Sequence, residues 1–223
     1  MCGRYTLTKG VDAVQARFNV LFNPGLYKSR YNVAPTQTVP AITNHDGQNQ
    51  GEFMRWGLVP VWAKDIKIGY RMINARAETL GEKSAWARLL KRRRCLIPAD
   101  GFYEWKKDGS KSGVPHRIVI RGEDLFAFAG LWDEWRSPEG ETIRSCSIIT
   151  TESNALIVPI HDRMPVILHP EAEEFWLDTA LEDLGILTRM LACYPAEDME
   201  AYPVSTLVNR AGADVPECVA RVT

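Results

Sequence analysis

The sequence predicts one α+β domain over residues 1–223, built on a curved, mostly antiparallel, barrel-like β-sheet with flanking helices. Three observations predict this class. Extended runs outnumber helical ones, glycines stand where hairpin connections are needed, and strands do not alternate with helices as they do in parallel sheets. No internal repeat or low-complexity linker divides the chain, so a single core is expected.

The first half of the chain supplies two helices and a hairpin. Apolar residues at helical spacing predict a short amphipathic helix near the start: Val11, Val14 and Phe18. Extended runs at 38–43 and 52–57 predict two strands with Gly47 in the turn between them. Residues 82–92 predict a helix with a basic last turn, and we interpret the arginine run at 92–94 as a solvated helix end.

The middle of the chain is rich in β-forming residues. Three β-rich runs are predicted between residues 94 and 132, with Asp108-Gly109 and Gly122 at the hairpin connections. A further strand is predicted at 142–150. Hairpin-linked strands of this kind favour an antiparallel sheet.

The last third returns to helices. A short helix is predicted at 152–157, and Pro170 begins a helix with an acidic first turn. A further helix is expected at 181–192, followed by an extended piece at 201–209.

Composition and charge exclude several classes of protein. The chain is 45% hydrophobic, and 27 Lys and Arg against 28 Asp and Glu leave a net charge of −1. Bulk basicity therefore does not indicate nucleic-acid binding, although a local basic patch would suffice for it. No run reaches the ~18–20 apolar residues of a membrane span, and no secretory signal pattern begins the chain. We expect a cytoplasmic protein without membrane contact.

The cysteine and histidine spacings favour neither a disulfide framework nor a metal site. The five cysteines are odd in number and widely spaced, and none forms a C-x-x-C pair. The four histidines lack a metal-binding spacing. The expectation is a protein without cofactor or metal.

Cys2 is the first candidate for chemistry. Removal of Met1 would give Cys2 an α-amine and a thiol on adjacent carbons. An α-amine titrates near ~7.7–8.0 and a lysine near ~10.4, so the terminal amine is the more available nucleophile for an aldehyde at neutral pH. The thiol could then close onto the imine to give a thiazolidine. Gly3 permits close backbone approach and Arg4 offers a cation to a phosphate. The alternative is an ordinary second residue in a frayed terminus that keeps Met1.

Two polar segments are further candidates. In INARAET, a strand would place Asn74, Arg76 and Glu78 on one face, where Asn orients an amine and Arg binds phosphate. An edge strand with a solvated polar face is the alternative. In GFYEWKK, Glu104 stands among aromatic residues, which predicts an apolar environment, a raised pKa and a role in proton transfer. A salt bridge to Lys106 or Lys107 is the alternative.

His161 and Trp62 complete the candidates. His161 follows the apolar run ALIVPI and precedes Asp162-Arg163, where a histidine can act as acid or base near neutral pH. A structural histidine is the alternative. Trp62 is flanked by Pro60 and the charged AKDIK, which predicts an exposed ring able to stack on a base. A core position is the commoner fate of tryptophan.

The sequence resembles the SRAP family (SOS-response-associated peptidase, or abasic-site processing, family) from Met1 to about Ser205. Eight motifs occur in the order found in that family: MCGRY, YNVAPT, WGLVPVW, MINARAET, RCLIPADGFYEW, AGLW, IHDRMPVIL and PVS. The resemblance implies an enzyme of the DNA damage response that crosslinks covalently to abasic sites in single-stranded DNA. It implies that Cys2 attacks the ring-opened sugar aldehyde and ends as a thiazolidine.

The resemblance also implies roles for further residues. Asn74 would hold the Cys2 amine, Glu104 would relay protons, and His161 would assist sugar ring-opening and the Schiff-base steps. The implied DNA contacts are phosphate binding by Arg4, Arg76 and Arg163, backbone contacts by Thr150 and Ser205, and an apolar wedge of Pro35 and Trp62. The expected partner is single-stranded DNA containing abasic sites, and the expected oligomeric state is a monomer.

Two other functions stay open at this point. Cys2 could be the acyl nucleophile of a self-processing peptidase or amidohydrolase, and the chain could be a single-strand DNA-binding module in which Cys2 is incidental. Self-processing would be required only if a leader longer than Met1 preceded Cys2, since ordinary removal of methionine suffices for Met1 alone. Only a covalent adduct would separate an enzyme from a binding module.

Overall fold

Strands outnumber helices in the computed structural model, which describes residues 2–81, 84–109 and 112–222. The α-helices of these residues are α1 (Val11–Phe18), α2 (Ser84–Arg92), α3 (Pro170–Leu177) and α4 (Leu184–Arg189). Their strands are β1 (Tyr5–Leu7), β2 (Arg30–Val33), β3 (Thr38–His45), β4 (Gln48–Trp56), β5 (Asn74–Arg76), β6 (Arg94–Ala99), β7 (Gly101–Lys106), β8 (Val114–Ile120), β9 (Phe126–Arg136), β10 (Thr142–Glu152), β11 (Arg163–Pro165), β12 (Ile167–Leu168) and β13 (Met199–Pro203). None of these helices is long and apolar enough to cross a membrane.

Five strands close into a β-barrel in the order β10-β4-β3-β6-β9, and β9 pairs again with β10. The pairings are antiparallel except for the short one between β10 and β4. At the β6–β9 pair, Cys95 lies opposite Gly130. A Cβ added to Gly130 would lie 2.8 Å from the Cys95 sulfur, so only glycine permits the two strands to pack this closely.

A second, antiparallel sheet has the order β13-β8-β7-β1-β2 and packs against the barrel. Aromatic rings join the two sheets. Tyr5 of β1 makes edge contacts with Trp56 and Phe128 of the barrel, at centroid distances of 5.3 and 5.6 Å. Phe102 of β7 also contacts Phe128, at 6.2 Å. The α+β class with a barrel-like sheet and flanking helices is therefore confirmed.

Several predicted elements are confirmed. The first helix spans Val11–Phe18 and buries Val14 and Phe18. Helix α2 spans Ser84–Arg92, and residues 82 and 83 of the predicted helix lie outside the described residues. Pro170 stands in the first turn of α3. Gly47 has a φ of +82° in the turn between β3 and β4, a conformation that glycine adopts without strain. The expected helix at 181–192 is shorter, and the extended piece at 201–209 ends in a 3-10 helix at Thr206–Asn209.

The prediction of three β-rich runs between 94 and 132 is wrong, because the first run divides at Asp100. Strands β6 and β7 flank that residue and belong to different sheets. The Asp100 carboxylate accepts hydrogen bonds from the Thr6 hydroxyl and the Thr8 amide, both at 2.5 Å. These bonds tie the break to β1, so the chain leaves the barrel there and joins the second sheet.

The predicted helix at 152–157 is also wrong. The Asn154 side chain accepts from the amides of Leu156 and Ile157, at 3.1 Å each, as a helix cap would. The segment nevertheless forms turns only. Pro159 follows within one turn, and its ring and missing N–H prevent continuation of a helix.

The interpretation of residues 92–94 as a solvated helix end fails for Arg94, which is 4% exposed. Its guanidinium donates to the carbonyls of Leu90 and Lys91 at the end of α2, and to those of Trp176 and Asp178 at the end of α3. One buried cation therefore satisfies the last carbonyls of two helices.

Candidate active site

Four segments that are remote in sequence meet where the five-stranded sheet packs on the barrel. Cys2 directly precedes β1, and Glu104 lies in β7 of the same sheet. Asn74 begins β5, which runs parallel to β10 of the barrel, and His161 lies in the connection from β10 to β11. The four residues predicted to be catalytic therefore come together at the junction of the two sheets.

Glu104 faces the barrel because of its position in β7. Phe102 and Glu104 are two residues apart, so their side chains share one face of the strand. Phe102 packs on the barrel, and Glu104 is 2% exposed beneath the same surface. Burial raises the pKa of Glu104 to about 7, and the negative charge of Asp162 adds to the rise. The raised pKa predicted for Glu104 is confirmed, and burial is its main cause.

His161 stands next to Glu104, with Nε2 at 3.9 Å from Glu104 Oε2. The Arg163 amide donates to His161 Nδ1 at 3.0 Å, and the Arg163 carbonyl and the Asp162 carboxylate also face that nitrogen. Nε2 is the ring nitrogen that faces the Glu104 carboxyl. Burial lowers the pKa of His161, while Asp162, whose carboxylate is 3.0 Å from Nδ1, acts in the opposite direction. The ring is therefore neutral near pH 7 and can accept a proton.

Asn74 holds the backbone of Cys2. Its Nδ2 donates to the Cys2 carbonyl at 2.9 Å. The predicted contact of Asn74 with the Cys2 amine stays a prediction. Within the described residues Asn74 Oδ1 is buried without a hydrogen-bond partner, which leaves one acceptor at this position. Cys2 is fully buried, and burial followed by the charge of Glu104 raises the pKa of its thiol.

This arrangement supplies proton transfer to a thiol that is neutral at physiological pH. A carboxyl with a pKa of about 7 is partly ionised there, so it can both take and give a proton. Because the thiol is protonated until it reacts, a neighbouring base is a chemical requirement for its attack.

Three of the predicted DNA contacts also come together. Arg76 is exposed and pairs with Thr150 across β5 and β10. Arg163 donates to the Thr150 carbonyl at 2.7 Å, and the Thr150 side chain itself is buried. Arg163 also makes a two-bond salt bridge with Glu78, at 2.7 and 3.0 Å. The Glu78 carboxylate thus occupies the two guanidinium nitrogens of Arg163 that would bind a phosphate through two hydrogen bonds.

Glu78 does not share a strand face with Asn74 and Arg76, as the sequence predicted. Strand β5 ends at Arg76, and Glu78 lies in a 3-10 turn over Ala77–Thr79. Its partnership with Arg163 spans 85 positions of sequence, so no local pattern could indicate it.

Arg4 and Ser205 are connected through the 3-10 helix at Thr206–Asn209. Arg4 is half-buried, and its Nη1 donates to Asn32 Oδ1 at 2.9 Å and to the Val208 carbonyl at 2.7 Å. Ser205 caps the 3-10 helix that contains Val208, by accepting from the Leu207 amide. This contact brings the 3-10 helix capped by Ser205 against the N-terminal segment.

The two residues of the predicted wedge lie on loops. Trp62 is 61% exposed between β4 and β5, so its predicted exposure is confirmed. Pro35 is half-buried between β2 and β3, and Thr36 beside it has a φ of 75°, a conformation that β-branched residues rarely adopt.

Asp162 and Lys107 were not singled out as site residues, although both influence His161. Asp162 approaches Nδ1 of the ring, and the charge of exposed Lys107 contributes to lowering the His161 pKa. Asp162 was visible in the motif IHDR, but the proximity of Lys107 depends on the packing of β7 against the β10–β11 connection.

The described residues contain no cluster of metal-binding side chains, and their five cysteines are unpaired. A cleft of about 1050 Å³ lies between α1, the β3–β4 hairpin and α3. It is lined by none of the predicted site residues.

Residues 1–211 match the family model described as SOS response associated peptidase (SRAP). The chain belongs to the SRAP family. It is 50% identical over 221 residues to the abasic site processing protein YoqW of Bacillus subtilis (strain 168), covering 98% of this chain and 99% of that protein. It is 31% identical over 266 residues to the abasic site processing protein HMCES of Xenopus tropicalis, covering 100% of this chain and 78% of that protein.

The fold is shared with a solved structure. A crystal structure of a protein from Bacteroides thetaiotaomicron superposes with a TM-score of 0.91 and is 28% identical, with 100% of both chains covered.

Proposed function

We propose that this protein processes abasic sites in single-stranded DNA by forming a covalent crosslink through Cys2. The observation that carries the proposal is the convergence of Cys2 with a buried carboxyl of pKa about 7 and a neutral histidine. Relatives of this chain are named abasic site processing proteins, which supports the abasic sugar as the target. An abasic sugar opens to an aldehyde, the group that an N-terminal aminothiol captures.

The first step forms a Schiff base. Removal of Met1 frees the Cys2 α-amine, whose nitrogen attacks C1′ of the ring-opened sugar. The carbinolamine that results loses its hydroxyl as water after protonation. Glu104, whose pKa is about 7, supplies that proton, and His161, whose lowered pKa leaves a neutral ring able to accept a proton, promotes ring opening.

The second step closes the ring. Loss of water leaves a protonated imine and the Glu104 carboxylate. The Cys2 thiol adds to the imine carbon, its proton passes back to Glu104, and the nitrogen, which already carries its proton, becomes the neutral amine of a thiazolidine. One water is lost over the two steps, and no oxidant or reductant is consumed. Asn74 fixes the Cys2 backbone throughout, so the amine and thiol approach the same carbon.

The DNA strand is held by the predicted contacts. Arg76 is exposed beside Asn74 and is free to meet a phosphate, whereas Arg163 must exchange Glu78 for one. We propose Arg4, Thr150 and Ser205 as further backbone contacts. The proposed wedge of Pro35 and Trp62 lies against the bases beside the lesion.

The test is the intact mass of the protein before and after incubation with an oligonucleotide bearing one abasic site. Protein without Met1 should gain the oligonucleotide mass less one water, at Cys2. Cys2→Ala should form no stable adduct, whereas Cys193→Ala, which removes an exposed cysteine, should react as wild type does. Native mass in the same experiment tests the predicted monomer.

Three results would contradict the proposal or redirect it. A stable adduct in Cys2→Ala would reject Cys2 as the nucleophile. Processed protein that binds the oligonucleotide without an adduct would favour the binding-module function. Release of a longer leader before Cys2 by the protein itself would favour the peptidase.

A further inference from the structure

One acidic side chain lies among the arginines proposed to bind the DNA backbone. Glu78 makes the two-bond salt bridge with Arg163 and stands two residues after Arg76. A carboxylate at this position opposes a phosphate, because like charges repel. We infer that Glu78 is a specificity-determining residue, which occupies Arg163 in place of a phosphate and so weakens reversible binding to undamaged single strands. This inference rests on the proposed function, because it concerns which strands are retained at the Cys2 site.

The salt bridge has the geometry with which arginine binds an oxyanion. Glu78 Oε1 accepts from Arg163 Nη1 at 2.7 Å, and Glu78 Oε2 accepts from Arg163 Nη2 at 3.0 Å. Carboxylate and phosphate oxygens compete for this pair of nitrogens, because both are bound through two parallel hydrogen bonds. The two anions therefore cannot hold Arg163 in this way at the same time.

Arg163 is the fixed partner of the pair and Glu78 is the accessible one. The Arg163 side chain is 13% exposed, and its Nη2 also donates to the Thr150 carbonyl of β10 at 2.7 Å. The Glu78 side chain is 44% exposed and belongs to the short 3-10 helix Ala77–Thr79 that follows β5. A phosphate therefore displaces the carboxylate into solvent and leaves the guanidinium in place.

The charges of the group set the sign and the size of the effect. The hydrogen bonds from Arg163 lower the pKa of Glu78, and the charge of Arg76 adds to this, so the carboxylate is ionised at neutral pH. Two arginines and one glutamate leave one net positive charge, and an uncharged side chain at position 78 would leave two. A partly exposed ion pair is weak enough for a phosphate to break, but the cost recurs in every encounter with a strand.

That cost falls on the reversible complex and not on the covalent one. An undamaged strand is held by non-covalent contacts alone, so a lower affinity shortens the lifetime of its complex. A strand with an abasic site becomes attached to Cys2, and the covalent bond persists whether or not Arg163 holds a phosphate. Glu78 therefore releases undamaged strands without releasing captured lesions.

Binding of a labelled, undamaged single-stranded oligonucleotide, followed by fluorescence anisotropy, tests the inference. Glu78→Gln keeps the size of the side chain and removes its charge. It should lower Kd by about 2- to 5-fold, because the phosphate no longer displaces a carboxylate. The slope of log K against log salt should steepen by about 0.7, the value for one further phosphate contact on a single strand.

Glu139→Gln is the matched control, because it makes the same change of charge at the opposite end of β10. Glu139 is exposed in the turn before Thr142, the first residue of that strand, whereas Arg163 bonds to Thr150. The strand from Thr142 to Thr150 spans ~26 Å, which exceeds the Debye length of ~8 Å at physiological salt. Glu139→Gln should therefore bind the oligonucleotide as wild type does.

A double-mutant cycle with Arg163 tests whether Glu78 acts through that residue. In an Arg163→Gln background, Glu78→Gln should lose most of its effect on Kd, because no guanidinium remains to be released. Circular dichroism of the single and double variants checks that each keeps the fold. An effect of Glu78→Gln that is undiminished without Arg163 would overturn the inference.

Two further results would also overturn it. Weaker binding by Glu78→Gln would show that Glu78 orients Arg163 for the phosphate, and equal effects of Glu78→Gln and Glu139→Gln would show a general effect of charge. The adduct assay separates this inference from the proposed function. If no protein forms an adduct but Glu78→Gln tightens binding, the Cys2 chemistry fails and the role of Glu78 stands. If adducts form and Glu78→Gln leaves Kd unaltered, the role of Glu78 fails alone.

Discussion

At the scale of single residues, Glu104 combines a functional position with a cost in stability. Its carboxyl ionises at about pH 7 in the folded protein, against an ordinary value of 4.5. As pH rises between these values, the unfolded chain loses its proton first, so the folded state loses stability relative to it. Above pH 7 the cost is complete and amounts to about 3 kcal/mol.

Glu104→Gln should therefore stabilise the protein at pH 8 and leave its stability near pH 4 unchanged. The amide keeps the size of the side chain and removes the buried charge, so its benefit appears only where the wild-type carboxyl is ionised. Denaturant unfolding at both pH values measures the difference. The same variant should lose crosslinking, because an amide transfers no protons.

Glu139→Gln is the matched control, because Glu139 is exposed. It should change stability little at either pH. A Glu104→Gln protein that is less stable than wild type at pH 8 would contradict the effect of burial.

At the scale of elements, a single side chain from a strand, Arg94, binds the C-terminal ends of two helices. Arg94 begins β6 and binds the last carbonyls of α2 and α3, so it fastens both helices to the barrel. Burial lowers the pKa of Arg94 to about 10, which still leaves it charged at neutral pH. Helix ends carry unsatisfied carbonyls and partial negative charge, and a planar guanidinium with five donors serves several of them at once.

Arg94→Lys should destabilise the fold by about 2–4 kcal/mol, since an ammonium group has fewer donors and cannot reach carbonyls of both helices. The free energy of unfolding in denaturant measures this. Arg92→Lys, at an exposed neighbouring position, should stay within about 0.5 kcal/mol of wild type. Equal effects in the two variants would show that Arg94 does not fasten the helices.

At the scale of the whole molecule, the candidate site exists only where the two sheets meet. Cys2 and Glu104 come with the five-stranded sheet, while Asn74 and His161 come with the barrel. One hydrophobic cluster includes side chains of both, among them Tyr5, Phe102, Trp56 and Phe128. This continuity supports our proposal that residues 1–223 fold as one domain.

We expect a single cooperative unfolding transition, in which tryptophan fluorescence, far-ultraviolet circular dichroism and crosslinking activity are lost together. The reason is that neither sheet can keep its aromatic face buried without the other. Calorimetry checks this, because the van't Hoff and calorimetric enthalpies should agree. Two resolved transitions, with activity lost in the first, would show that the sheets unfold as separate units.

The sequence by itself determined the features that depend on neighbouring residues. The spacing of Val14 and Phe18 predicts the buried face of α1, Pro170 predicts the start of α3, and the aromatic neighbours of Glu104 predict its burial. The motif resemblance named the four residues that the structure brings together at the junction of the sheets. Their catalytic and DNA-binding roles stay predictions until they are measured.

Only the tertiary structure decided which remote segments meet. The burial of Arg94, the division of a β-rich run at Asp100, and the occupation of Arg163 by Glu78 each depend on partners 80 or more positions away in sequence. Local periodicity reports whether one side of an element is buried, because burial acts on each side chain in turn. It carries no information on which element covers that side, since pairing of distant strands and caps is a property of the whole packed chain.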